Sequence, residues 1–290
     1  KTTTTCMTAL LVERAGKRVV MAGNIGPSML STLGQALDLE PVVELPAEPA
    51  VGAEDPQAVV EVALPEQTTL EALDEMLDDM GEDKHRPLPI EPPPPKGPVF
   101  EHLPEVWVLE LSSFQLDEVQ GFEPTAAAVL NLTQDHLDWH GDMAAYGRAK
   151  ARIFGPDATS GAVMVINRDD PLVEAMVPAP VLVKQGRGRA AKVQGRRVTR
   201  FGLDAPRHPG DFGLVEEGGM AWLVRARELD ETIKRKKGDE DEQEISLQRL
   251  MPADALRVRG RHNAANALAA LALATAAGCA MAPMLHGLRE

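Results

Sequence analysis

The sequence predicts an α/β chain built on a doubly wound, mostly parallel sheet with a phosphate-loop-type nucleotide site, and three observations lead there. Short apolar runs at Val106–Leu111, Ala126–Leu132 and Ala162–Asn167 each give way to a polar burst. Buried strands of a parallel sheet read this way, and their carboxyl ends form the rim where ligands sit. Helical segments follow several of these runs, as a sheet covered on both faces requires. The chain opens Lys1-Thr2-Thr3-Thr4-Thr5, the form in which a Gly-Lys-[Ser/Thr] phosphate loop runs into its helix. In such a loop the lysine reaches the terminal phosphates, the next hydroxyl ligates magnesium, and the helix N-terminus faces the anion.

Thr5–Ala15 reads as a helix whose Met7, Leu10 and Leu11 can face a sheet, closed by Gly16. Lys1 and Thr2 take the phosphate and magnesium roles, with Thr3 close behind; the same residues also fit an ordinary polar helix start. Arg18–Gly23 forms a strand ending in Gly23-Asn24-Ile25-Gly26-Pro27-Ser28 before a second helix. Asn24 is there either a phosphate or substrate contact or a turn asparagine that tolerates a left-handed backbone. Glu110 closes the Val106 run as a lone acid, suited to a hard cation because it keeps its charge at the rim while the strand anchors it. Ala126–Leu132 gives way to Asn131, Thr133, Asp135, His136 and Asp138.

Asp142 starts a helix through Tyr146, Lys150 and Ile153 that ends near Gly155; Tyr146 and Lys150, four apart, share a face. After Ala162–Asn167 come Arg168-Asp169-Asp170-Pro171, a further helix, and a strand over Val181–Gln185. From Arg197 to about 258 the pattern loosens into hairpins. Gly210–Glu216 and Ala221–Arg225, around a Glu217-Gly218-Gly219 turn, predict a small antiparallel sheet. Gly260-Arg261-His262-Asn263-Ala264-Ala265-Asn266 leads into an alanine- and leucine-rich helix to about Ala277. Asn263 is a natural N-cap. Asn266 places a second amide at that end, suited to adenine or to a plain surface position. The alanines contribute too little transfer energy for a membrane span, so no membrane insertion is expected.

At 290 residues and 44% hydrophobic composition the chain is long enough for one large core with appendages. A formal charge of -14 argues against nucleic acid as a partner. Between Asp38 and Glu105 eighteen acidic residues face three basic ones, so the acidity belongs to one segment and the presumed nucleotide site lies outside it. Thirteen of the 23 prolines fall between Pro41 and Pro104, including the Pro92–Pro95 run, which marks an acidic surface insertion at about 40–104. One helical island is predicted inside it, from the Thr68/Glu71 capping box and Leu70, Leu73, Leu77 and Met80. Lys234–Glu244 is a charge run and reads as a solvated loop. The two cysteines, Cys6 and Cys279, are too few for a disulfide framework, which fits a reducing cytoplasm.

Taken in order, the Lys-Thr-Thr start, Gly23-Asn24-Ile25-Gly26, Glu110-Leu-Ser-Ser-Phe-Gln115, Asn131-Leu-Thr-x-Asp-His136-Leu-Asp138, Tyr146-x-x-x-Lys150 and His262-Asn263-x-x-Asn266 resemble the central domain of Mur ligases. These enzymes add amino acids to the peptidoglycan precursor. Leu-Glu-Leu-Ser-Ser-Phe-Gln-Leu is most similar to the members that add D-glutamate to UDP-N-acetylmuramoyl-L-alanine. Diaminopimelate- or lysine-adding members typically have histidine where this chain has Phe114. The resemblance implies a monomeric cytoplasmic ligase that uses ATP and Mg2+ and passes through an acyl phosphate. By motif match Lys1 holds the β- and γ-phosphates, Thr2 and Glu110 one magnesium ion, and His136 a second. Lys150 matches a position carbamylated in the family, which would make it a metal ligand; an ordinary surface lysine is the alternative. Ser112, Gln115 and Tyr146 would line the muramyl-alanine side, and Asn263 and Asn266 the adenine side.

The chain is expected to begin inside the phosphate loop and to lack the N-terminal UDP-binding and C-terminal domains of its relatives, so that alone it does not turn over. Two other classes stay open: a related amide ligase such as another Mur ligase or a folylpolyglutamate synthase, and a nucleotide-binding module without ligase chemistry.

Overall fold

The computed structural model describes residues 1–41, 100–155, 160–183, 191–229 and 245–290. The helical island at Thr68–Met80, the Pro92–Pro95 run, the end of the Val181–Gln185 strand and the Lys234–Glu244 charge run lie outside the described residues. The chain divides into two compact units, Lys1–Leu39 with His102–Glu290, and Glu40–Glu101. In the second unit the Glu101 amide donates to the Glu40 carboxylate at 2.8 Å.

The first unit contains α1 (Thr2–Arg14), β1 (Val19–Gly23), α2 (Met29–Leu39), β2 (Val106–Glu110), α3 (Ser113–Asp117), β3 (Ala126–Val129), α4 (Leu137–His140) and α5 (Met143–Ala151). Then follow β4 (Val163–Asn167), α6 (Pro171–Glu174), β5 (Val181–Val183), β6 (Lys192–Gln194), β7 (Arg197–Phe201), β8 (Phe212–Glu217), β9 (Met220–Glu228), β10 (Ile245–Pro252), α7 (Arg261–Ala276) and α8 (Met281–Gly287).

β1 and β2 pair in parallel, with Gly23 opposite Glu110. A six-stranded sheet runs β10-β9-β8-β7-β4-β3. Its β3, β4, β7 and β8 are parallel, while β8, β9 and β10 are antiparallel. The antiparallel strands expected near 197–258 therefore form, and they continue the parallel strands edge to edge. β5 and β6 make a separate antiparallel pair. The sheet is divided at one place. Among the described residues β2 pairs only with β1 and β3 only with β4, and a cavity of about 510 Å³ lies between Val106–Leu111 and Thr125–Asn131.

Strand β4 explains why helices cover both faces. Its side chains alternate, as the pleat dictates. Val163 and Val165 join Leu11 and Val12 of α1 and Leu268 and Leu271 of α7 in one core. Met164 and Ile166 join Tyr146, Phe154 and Val173 in the other. Leu268 and Leu271 are fully buried, each stabilising the fold by roughly 1.5–3 kcal/mol. The alanines at 267, 269, 270, 272 and 274 are buried as well, and their small side chains let α1 and the sheet approach α7 closely.

Asp142 caps α5 as expected, its carboxylate accepting from the Ala145 amide at 2.7 Å. Asn263 does not cap α7. Gly260, at φ 107°, turns the chain into the helix earlier, and the Asn263 side chain instead donates to the Arg259 carbonyl at 2.8 Å. No helix among the described residues is long and apolar enough to cross a membrane.

Candidate active site

The first group is built on Glu110. Strand β2 ends on this residue, and pairing with β1 brings Gly23, and hence Asn24, alongside it. The Asn24 amide group donates to Glu110 Oε1 at 3.1 Å, and the Thr2 hydroxyl donates to Oε2 at 2.9 Å. Lys1 Nζ stands 3.5 Å from Oε1, with half of its side chain exposed while that of Glu110 is 3% exposed. Burial pushes the Glu110 carboxyl upward, but the donors from Asn24 and Thr2 and the Lys1 charge outweigh it and hold the group below its ordinary value. Asn24 is not in a left-handed conformation. It acts as a clamp on Glu110, and its own amide donates to the Glu110 carbonyl at 2.6 Å.

The second group sits beyond β3. Lys150 Nζ lies 4.7 Å from the centre of the Tyr146 ring, confirming their shared face, and donates to the Asn131 carbonyl at 3.5 Å. The loop carrying Asn131 is held from β4: the Asn167 side chain donates to the Leu130 carbonyl at 2.7 Å, and the Asp170 carboxylate accepts from the Leu132 amide at 2.8 Å. His136 precedes α4 with φ 52° and is paired to its neighbour Asp135 at 3.2 Å. Its ring lies 4.7 Å from that of Phe114 and 6.3 Å from that of Tyr146.

Lys1, Glu110 and Lys150 line one and the same cavity, with Asn131. His136 reaches that neighbourhood through Phe114, which follows Glu110 by four residues. Among the described residues no group of three or more His, Cys, Asp or Glu could hold a metal ion by itself. Glu110 and the Thr2 hydroxyl would supply two oxygen ligands to a magnesium ion there. The donor chemistry fits: an ionised carboxylate and a hydroxyl are hard oxygen ligands.

Other expected positions make structural contacts of their own. Ser112 and Gln115 form a capping box on α3: the Ser112 hydroxyl accepts from the Gln115 amide at 3.2 Å, and the Gln115 side chain accepts from the Ser112 amide at 2.9 Å. Thr3 is exposed, whereas Thr4, which sequence reading passed over, is buried and donates to Asn266 at 3.0 Å. The Asn266 side chain in turn donates to Asn263 at 3.3 Å. Ser113 was also missed. Its hydroxyl, three residues after Glu110, is buried and has no hydrogen-bond partner.

The fold and rim thus define an α/β domain with a lysine, a hydroxyl and a carboxylate gathered at one helix start. Residues 99–208 match the Mur ligase middle domain. Over its full 290 residues the chain is 50% identical to the UDP-N-acetylmuramoylalanine–D-glutamate ligase of Albidiferax ferrireducens and 49% identical to that of a Polaromonas species, covering 43% and 37% of those proteins. MurF from Acinetobacter baumannii shares 18% identity with a TM-score of 0.39 over 98% of this chain and 48% of its own, a likeness too slight to weigh. The match places residues 99–208 in the Mur ligase middle-domain family. It spans about two-fifths of the length of the curated relatives it matches.

Proposed function

We propose that this chain is the nucleotide-binding part of an ATP-dependent amide ligase that adds D-glutamate to UDP-N-acetylmuramoyl-L-alanine. The observation that carries the reading is the convergence of Lys1, Thr2 and Asn24 on the buried Glu110. The identity of 50% along the whole chain to proteins named for that reaction supports it.

In the first step an oxygen of the alanyl carboxylate bonds to the γ-phosphorus of ATP while the bond from phosphorus to the ADP oxygen breaks. The amine of D-glutamate then attacks the acyl-phosphate carbon and loses a proton, and inorganic phosphate leaves as the amide forms. Two anions must meet in the first step, so positive charge has to dominate the site. Lys1, half exposed at the start of α1, extends its ammonium to the β- and γ-phosphates. Thr2 and Glu110 would hold Mg2+, which would offset phosphate charge. Asn24 fixes the second oxygen of Glu110, so the carboxylate is oriented before nucleotide arrives. Thr3 lies at the same helix start. Asn263 and Asn266 take the adenine side, tied to α1 by Thr4. Tyr146 lines the muramyl-alanine side with Ser112 and Gln115, whose capping box holds α3 in place.

His136 and Lys150 belong to the acyl-phosphate side of this reading. His136, and Lys150 once carbamylated, would hold a second magnesium ion there. A monomer in the cytoplasm, with further domains for the uridine diphosphate and for glutamate, completes the proposal. The test is phosphate release by the full-length protein with ATP, UDP-N-acetylmuramoyl-L-alanine and D-glutamate. Turnover should require both acceptors. Turnover that follows diaminopimelate or a folate in place of D-glutamate would overturn the reading.

A further inference from the structure

Phe114 is a large apolar ring left 40% exposed at the rim, so core packing does not account for it. It meets three other rings: His136 at 4.7 Å and 56°, Trp139 edge-on at 5.4 Å, and His140 stacked at 5.9 Å. His136 needs such support. It is the one non-glycine residue with positive φ among the described residues, and its side chain is 42% exposed. Among the described residues the imidazole's polar partner is Asp135, the adjacent residue, at 3.2 Å, while the His136 backbone bonds to Asp135, Trp139 and His140. A contact to the neighbour in sequence moves with the loop and cannot fix the imidazole relative to the sheet.

Phe114 can. It lies on α3, which the Ser112–Gln115 box caps and which begins three residues after Glu110. Tyr146, 4% exposed and carried by α5, meets the imidazole from another side at 6.3 Å. Two elements, α3 and α5, thus bring rings to one histidine. Aromatic contacts of this kind bias side-chain populations by roughly two- to tenfold.

We infer that Phe114 is a positioning residue for His136, holding its imidazole in a fixed relation to Glu110 through α3. The role assigned to Phe114 rests on the reading of His136 as a site residue.

The experiment compares Phe114→Leu, Phe114→Tyr and His136→Gln in the full-length protein. His136→Gln assigns the imidazole resonances in the NMR spectrum. Phe114→Leu should shift those resonances and lower kcat about tenfold with the KM for ATP within about twofold, and Phe114→Tyr should restore both. In the His136→Gln background Phe114→Leu should cost nothing further, because its effect passes through the imidazole. Unmoved resonances in Phe114→Leu, or a fully additive loss in the double variant, would overturn the inference. Normal turnover by His136→Gln, with the resonances still moved by Phe114→Leu, would instead remove His136 from the proposed function and leave the ring placement standing.

Discussion

Glu110 and Asp211 are both nearly inaccessible carboxylates, 4% and 1% exposed, and their surroundings push them in opposite directions. At Asp211, just before β8, burial is the strongest influence and raises the carboxyl above its ordinary value. The Arg200 amide at 2.7 Å and His208 at 3.3 Å pull the other way and do not overcome it. At Glu110 burial is opposed by an amide group, a hydroxyl and an ammonium, and there the donors win. The difference separates two uses of a buried acid. The Asp211 carboxylate ties β8 to β7 through the Arg200 backbone amide, whereas Glu110 is held below its ordinary value at the rim by side-chain donors.

The largest expected effect tests that separation directly. Glu110→Gln in the full-length protein should lower phosphate release about 10³-fold, roughly 4 kcal/mol of barrier, while Asp211→Asn should leave it within about threefold. Equal losses would erase the distinction. The glycines beside the two acids sharpen it. A Cβ on Gly23, at φ 109°, would stand 2.4 Å from the Glu110 carbonyl oxygen, so Gly23→Ala should destabilise by about 2–4 kcal/mol in chemical denaturation. Gly210, at φ 89°, has open space where its Cβ would go, and Gly210→Ala should cost only the backbone strain, about 1 kcal/mol.

Acid titration gives a difference of sign. The depressed Glu110 contributes stability that is present above its unfolded value of 4.5 and is lost as pH falls through its lower folded value. The raised Asp211 costs stability at neutral pH, and that cost is relieved as pH falls through its folded value toward 3.8. In thermal melts from about pH 7 down to about pH 3, Glu110→Gln should therefore gain on the wild type and Asp211→Asn should lose ground. The same sign for both would refute the electrostatic contrast. The smallest effect concerns the link from α1 to α7: Thr4→Val should cost about 1 kcal/mol, measured by denaturant midpoint.

Much of the architecture was legible because apolar runs and their polar ends carry a strong period. The runs at Val106, Ala126 and Ala162 are strands β2, β3 and β4, and the Asp142 cap and the helix toward Ala277 are where the pattern put them. Strand β10 was not legible, since its eight residues show no clean alternation of burial. Nor was the divided sheet, because nothing local says which strand edges find partners. At the site, chemistry was easier to read than contact. Lys1, Thr2 and Glu110 meet as their residue types suggested, but Asn24 reaches Glu110 across 86 positions through a strand register that no local pattern encodes. Helix phase separates Thr3 from Thr4: packing against α7 decides which threonine turns inward. The Ser112-x-x-Gln115 spacing was a readable capping box, and reading it as substrate lining alone overlooked that signal.

The grip of Asn167 and Asp170 on the Leu130–Leu132 segment has its own consequence. The perch on which the Lys150 ammonium rests is set by Asn167 at the end of β4 and by Asp170, the N-cap of α6, neither of them its neighbour in sequence. A change at either one is felt first as a misplaced lysine and only secondarily as a weaker fold, so the rim can lose its aim while the core beneath it stays intact.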